Sequence, residues 1–154
     1  MVERARLKVE VFKAIRVPVP PSFFRGLLQR AAQVPEVEAR LPAGGATIAV
    51  RLTTDDELRR LNRDFAGHDS VTDVLSFAGS EEHLGDLAIS WPMVLRRAGE
   101  FGESEQAELG LLCVHGLLHL LGWDHESEVQ REEMTRVTIA ALELSGLRIP
   151  SRRL

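Results

Sequence analysis

Cysteine is almost absent. Cys113 is the single thiol among 154 residues, which excludes an internal disulfide. No stretch approaches the roughly 18 consecutive apolar residues that a membrane span needs. The opening residues, Met1-Val2-Glu3-Arg4-Ala5-Arg6, lack the apolar centre of a secretory signal. Together these absences point to the reducing cytoplasm and to no membrane partner. An excess of positive charge is missing too. The formal net charge is −4, which argues against broad electrostatic capture of nucleic acid and leaves only local capture open. Lysine is nearly missing: Lys8 and Lys13 are the only two among 19 basic residues, and the rest are arginines. Arginine suits bidentate contact with phosphate or carboxylate, although a general compositional preference is the simpler explanation. There is no internal repeat, low-complexity tract or linker, so residues 1–154 are expected to form one compact domain.

Turn and cap residues divide the chain into elements. Leu7 to Ile15 alternates in part, with Leu7, Val9 and Val11 on one face, and predicts a strand. Ser22 is placed to cap a helix running to about Val34, before Pro35. Ala46 to Leu52 is a second strand. Thr54-Asp55-Asp56-Glu57 is a capping box opening a helix that ends near Phe65. Val71 to Phe77 and Leu84 to Trp91 are further strands. Pro92 fits the first turn of a helix reaching about Gly99. Ser104 caps the next helix, whose centre from Leu109 to Leu121 is apolar all round and therefore belongs in the interior. Ser127 opens a last helix to about Leu144, ended by Gly146, and the Arg152-Arg153 tail is expected to fray. The fold class is α+β: one domain with about four strands in a mixed sheet, about five helices and a central buried helix.

That central helix carries the chemistry. His115 and His119 are four residues apart, so on a helix they share one face with about 6 Å between their Cβ atoms. Gly122 follows three residues later, where a helix can stop in the left-handed conformation that glycine adopts cheaply. The chain can then turn back and deliver His125. A lone histidine on an apolar helix is usually a hydrogen-bonded core residue. Two on one face of a helix with almost no other polar groups would each cost about 1–3 kcal/mol unpartnered, and one shared ion resolves both. His115, His119 and His125 are thus the expected ligands of one metal ion. Three neutral imidazoles without thiolate suit zinc best, and three protein ligands leave a fourth position for water, as catalytic zinc sites do. Cys113 precedes His115 by two residues, about 200° around the helix, and is rejected as a ligand.

The spacing matches the metzincin pattern H-E-x-x-H-x-x-G-x-x-H except at one place. Those proteases use the glutamate after the first histidine as general base, and here that residue is Gly116, which cannot take a proton. The metal geometry survives while the peptidase base is missing. Asp124, beside the third histidine, is either a replacement acid–base group or support for a ligand, or simply a turn residue.

The passage from His115 to His125, H-G-x-x-H-L-x-G-W-D-H, resembles the signature of the YbeY family of bacterial endoribonucleases and ribosomal RNA maturation factors. Leu61-Asn62 with Thr72-Asp73-Val74-Leu75-Ser76-Phe77 resembles a second block of that family, and Leu84-Gly85-Asp86-Leu87-Ala88-Ile89-Ser90 a third. Met134 falls in the helix after the histidines, where the family also has methionine. The match spans about Leu58 to Leu144. It implies a single metal-dependent hydrolase domain: a zinc-dependent endoribonuclease preferring single-stranded RNA. It also implies action on small-subunit ribosomal RNA or the small subunit itself, in maturation and quality control, in the bacterial cytoplasm. Two departures matter. Ala66, after Phe65, replaces an arginine that the family uses for substrate phosphate, and His68 stands where lysine is usual. Arg59 and Arg63 lie one helix turn before this loop. Arg63 is the nearest substitute, against the simpler reading of a solvated helix face. His68 and His83 are expected on the surface, and Asp73 and Asp86 are expected to hydrogen-bond at strand ends. The alternatives to the nuclease are an unusual metalloprotease, disfavoured by Gly116, and a non-catalytic ribosome-assembly factor that uses zinc structurally.

Overall fold

The computed structural model describes residues 6–66, 74–124, 126–150 and 153–154. Its strands are β1 (Leu7–Lys13), β2 (Ala46–Thr53), β3 (Val74–Ala78) and β4 (His83–Ser90). They form one mixed sheet in the order β1-β2-β4-β3. β1, β2 and β4 run parallel, and β3 returns antiparallel on the outer edge of β4. The first three strands alternate in burial or are buried throughout because one face of the sheet carries the main core. Leu7, Val9, Ile48, Val50, Leu52, Leu87 and Ile89 all point into it.

The described residues contain six helices, one more than expected. They are α1 (Pro21–Ala31), α2 (Pro35–Glu38), α3 (Asp55–Leu61), α4 (Trp91–Phe101), α5 (Glu105–Leu120) and α6 (Glu128–Glu143). The unexpected one, α2, is a single turn behind Pro35, too short to show a period in the sequence. Three caps form as expected: the side chains of Thr54, Ser104 and Ser127 accept the backbone N–H three residues on. Ser22 does not cap α1. The cap position belongs to Pro20 and Pro21 occupies the first turn. A proline there is already set at a helical φ and lacks the N–H that a cap would satisfy. The helix opened by Thr54 continues beyond α3 as a π-helical turn over Asn62–Ala66. The expected third-strand residues Val71 to Asp73 lie outside the described residues, as do His68 and Arg152.

α5 is the spine of the molecule. Eleven of its sixteen residues are buried, from Ala107 to Leu118. It lies between the sheet and the other helices, touching β3, β4, α1, α4 and α6. α1 covers the same core with Phe24, Leu27, Leu28 and Ala31, spaced on one helical face. The opposite face of the sheet carries a small second cluster, where α3 lays Leu58 and Leu61 over Leu75, Ala88 and Phe77. No helix among the described residues is long and apolar enough to cross a membrane.

Arg153, in the tail expected to fray, is anchored. Arg153 donates from Nη2 to both carboxylate oxygens of Glu108, at 3.1 and 2.9 Å, and from Nη1 to Glu103. Its guanidinium sits 3.8 Å from the ring centroid of Phe101. Glu108 is fully buried on α5, and a buried carboxylate needs such a partner.

Candidate metal centre

His115 is half-buried on α5 and His119 is exposed one turn later. Gly116, between them, explains why α5 can sit so close to the sheet. A Cβ at this position would meet the methyl carbons of Leu87 at 2.6 and 2.8 Å. Residue 116 therefore faces β4, about 100° around the helix from His115. The missing glutamate is thus a packing requirement of this fold as well as a missing base.

The end of α5 is tightly specified. Gly122 adopts φ +97°. Its N–H donates to the His119 carbonyl, and the Trp123 N–H to the Leu118 carbonyl, both at 3.0 Å. This pair of bonds is the Schellman arrangement, and it reverses the chain immediately after the second histidine. Trp123 is buried at 2% exposure. Its indole N–H donates to Glu133 on α6 at 3.3 Å.

The Trp123 carbonyl lies 3.1 Å from Nδ1 of His119. A carbonyl can only accept, so Nδ1 carries the proton, which in the neutral tautomer puts the ring's lone pair on Nε2. Metal-ligating histidines are oriented in this way, by a bond from the nitrogen that does not face the metal.

His125 lies outside the described residues, but the turn is tied on both sides of it. The Asp124 N–H donates to Gln130 at 3.3 Å, and its carboxylate accepts the Glu126 N–H at 2.9 Å. These bonds give Asp124 a place in the turn that leads to and from residue 125. Among the described residues no group of three His, Cys, Asp or Glu side chains is gathered to hold a metal. His115 and His119 supply two imidazole donors on one helix face, which fits zinc. Cys113 is fully buried in the core, and burial pushes its thiol up to about 12.

A cleft of about 300 Å³ adjoins His115. It is lined by Arg97 and Phe101 of α4, by Glu108 of α5 and by Arg153. Burial raises the pKa of Glu108 and outweighs the opposing pull of Arg153. A larger open hollow of about 580 Å³ runs along Arg131, Glu132 and Arg136 of α6 and contains no histidine. Arg63 is more than half exposed on the π-helical turn and bonds its neighbour Asp64 at 3.2 Å. The basic residues that line this cleft together with His115 are Arg97 and Arg153, neither of which sequence reasoning singled out. Glu108, the last acid before the apolar centre of α5, was the one local sign of that cluster.

His83 belongs to β4 rather than to the preceding connection. Its Nδ1 pairs with the Thr47 hydroxyl at 2.6 Å and its Nε2 with Asp86 at 3.1 Å. Asp86 therefore lies inside β4 rather than at a strand end as expected, and its hydrogen-bond partner is His83 on the same strand. Asp73 lies outside the described residues.

Comparison with known proteins gives the same answer from independent directions. A family model described as Endoribonuclease YbeY matches residues 16–145. The chain belongs to the YbeY endoribonuclease family. A YbeY endoribonuclease of Chloroflexus aggregans is 44% identical over 136 residues, covering 80% of this chain and 88% of the relative. The Chloroflexus aurantiacus YbeY is 48% identical over 112 residues, covering 65% and 72%. The Bacillus mycoides YbeY is 39% identical over 140 residues, covering 82% and 86%. The fold is similar to the solution structure of TM1509 from Thermotoga maritima, with a TM-score of 0.60 and 25% identity, over 94% of this chain and 95% of that one. Membership of the YbeY family agrees with the H-G-x-x-H-L-x-G-W-D-H passage and with the loss of the protease base at Gly116.

Proposed function

We propose that the protein is a zinc-dependent endoribonuclease that cuts single-stranded RNA, with one zinc ion per chain held by His115, His119 and His125. Its substrate is small-subunit ribosomal RNA, met during maturation and quality control of the small subunit in the cytoplasm. The observation that carries this reading is the bond from His119 Nδ1 to the Trp123 carbonyl. It makes Nε2 the donor atom one turn from His115, just before the Gly122 reversal that His125 follows in sequence.

Held by these three histidines, zinc would supply Lewis-acid activation of water and of the phosphodiester. The chain's own residues supply the rest. His119 is held in one tautomer by Trp123. Asp124 holds the turn next to His125. Gly116 brings no proton acceptor near the metal, which favours phosphodiester over peptide chemistry. Arg97, in the cleft beside His115, is placed to steady a flanking phosphate of the RNA, with Arg63 as the candidate on the π-helical turn.

The test is cleavage of single-stranded RNA and of a peptide library by the same purified sample. RNA cleavage that stops with a chelator and with His119→Ala is the expected outcome. Cleavage that survives both sinks the zinc mechanism, and peptide cleavage sinks the nuclease.

A further inference from the structure

The geometry points to Arg40 as a positioning residue for the turn Leu121–Trp123, and through it for His119. This inference rests on the zinc reading for the role of His119, but the clamp itself has a readout that needs no metal.

Arg40 follows α2, eighty residues from this turn in sequence, and reaches it with its guanidinium. Nη1 donates to the Leu121 carbonyl at 3.2 Å. Leu121 is the C-cap of α5, so this carbonyl belongs to the partly negative end of the helix, where a cation is favoured. The same guanidinium lies over the Trp123 ring, with Cζ 3.5 Å from its centroid. Between the two contacts is Gly122, where an added Cβ would come within 3.7 Å of Arg40 Nη1. One planar group thus spans the glycine reversal, fixing the residue before it by a hydrogen bond and the residue after it by stacking. Trp123 is in turn held at its indole N–H by Glu133, and its carbonyl holds His119 Nδ1.

The consequence is a chain of support from Arg40 to a ligand nitrogen that Arg40 does not touch. Without the guanidinium, the Trp123 ring loses its cover, and the backbone at 122–123 keeps its Schellman bonds but loses one of the restraints that aim the carbonyl at His119. The imidazole then samples both tautomers, and only the Nδ1-protonated one offers Nε2 to a metal. Lost support of a ligand histidine typically weakens metal binding about 10–100-fold.

The experiment compares the full chain with Arg40→Ala, Arg40→Lys and, as a control on an exposed face of α1, Arg25→Ala. The first readout is the nitrogen shifts of the His119 ring in metal-free protein at pH 8. The second is zinc affinity by competition with a chromophoric chelator. The expected result is a single Nδ1–H tautomer in the parent chain and in Arg25→Ala, and a mixture in Arg40→Ala with about tenfold weaker zinc. Arg40→Lys keeps a donor for Leu121 but not the planar stack, and should fall between. If Arg40→Ala does not fold, Arg40→Lys carries the comparison, because an unchanged tautomer and affinity there exclude the stacking half of the clamp. A single Nδ1–H tautomer in Arg40→Ala, with affinity within twofold of the parent, overturns the inference. A parent chain that holds Nδ1–H yet binds no zinc overturns the zinc reading instead, and the tautomer comparison still judges the clamp.

Discussion

Adding one methyl group at Gly116 should destabilise the protein, whereas the same change at Gly99 should stabilise it. Both residues are helical, Gly99 in α4 and Gly116 in α5. Alanine is favoured over glycine inside a helix by about 1 kcal/mol. At Gly99 a new Cβ meets nothing within 4 Å, so Gly99→Ala should gain about 1 kcal/mol. At Gly116 the new Cβ lands 2.6 and 2.8 Å from the Leu87 methyls, and Leu87 is fully buried. Overpacking of this kind costs about 1–3 kcal/mol. Taking about 2 kcal/mol for the clash and offsetting about 1 kcal/mol of helix propensity, Gly116→Ala should lose about 1 kcal/mol. In a chain of this length that lowers Tm by about 2–4 °C. Urea denaturation gives both signs in one series, provided the slope against denaturant is unchanged. A Gly116→Ala midpoint above that of the parent would refute the argument that α5 needs a glycine to approach β4. It would also remove the packing reason why a protease glutamate cannot stand there.

Two further results follow from charged groups. Replacing Arg153 by alanine leaves the Glu108 carboxylate buried without either of its bonds, and should cost about 3–5 kcal/mol in urea denaturation. Arg153→Met combined with Glu108→Leu should recover most of that loss, and no recovery would contradict the reading of this pair as a desolvated ion pair. Glu57 is held below its ordinary value of 4.5, chiefly by the hydrogen bond from Arg51. Its contribution to stability is therefore present above about pH 4.5 and lost as pH falls through the lower folded value. The stability gap between the parent and Glu57→Gln, measured by denaturation from pH 7 downward, should accordingly narrow below that pH. A gap that widens in acid would reverse the assigned sign.

Much of the site was legible from local pattern because helix geometry is periodic. His115 and His119 had to share a face once the segment was a helix, and Gly122 announced the reversal that its φ of +97° displays. Thr54, Ser104 and Ser127 were readable as caps because each acts on a backbone N–H only three residues away. Ser22 misled because Pro21 had already set the start of α1, and α2 escaped because one turn shows no period. What the sequence could not reveal is contact between distant segments. Arg40 gives no sign of reaching Trp123, since its partners are a backbone carbonyl and a ring some eighty residues on. Arg153 looked like part of a frayed tail because its charge partners, Glu103 and Glu108, are recognisable only once α4 and α5 pack. Gly116 was legible as a missing base but not as a packing necessity, since Leu87 comes from another element.

The proposed zinc site, His115 and His119 on α5 with His125 after it, stands or falls with the metal and the RNA together. Metal content and cleavage of single-stranded RNA, measured on one sample before and after chelation, test it most directly. The account predicts one zinc per chain, loss of cleavage with loss of metal, and return of both on adding zinc back. A folded, metal-free protein that cleaves single-stranded RNA at full rate would contradict it.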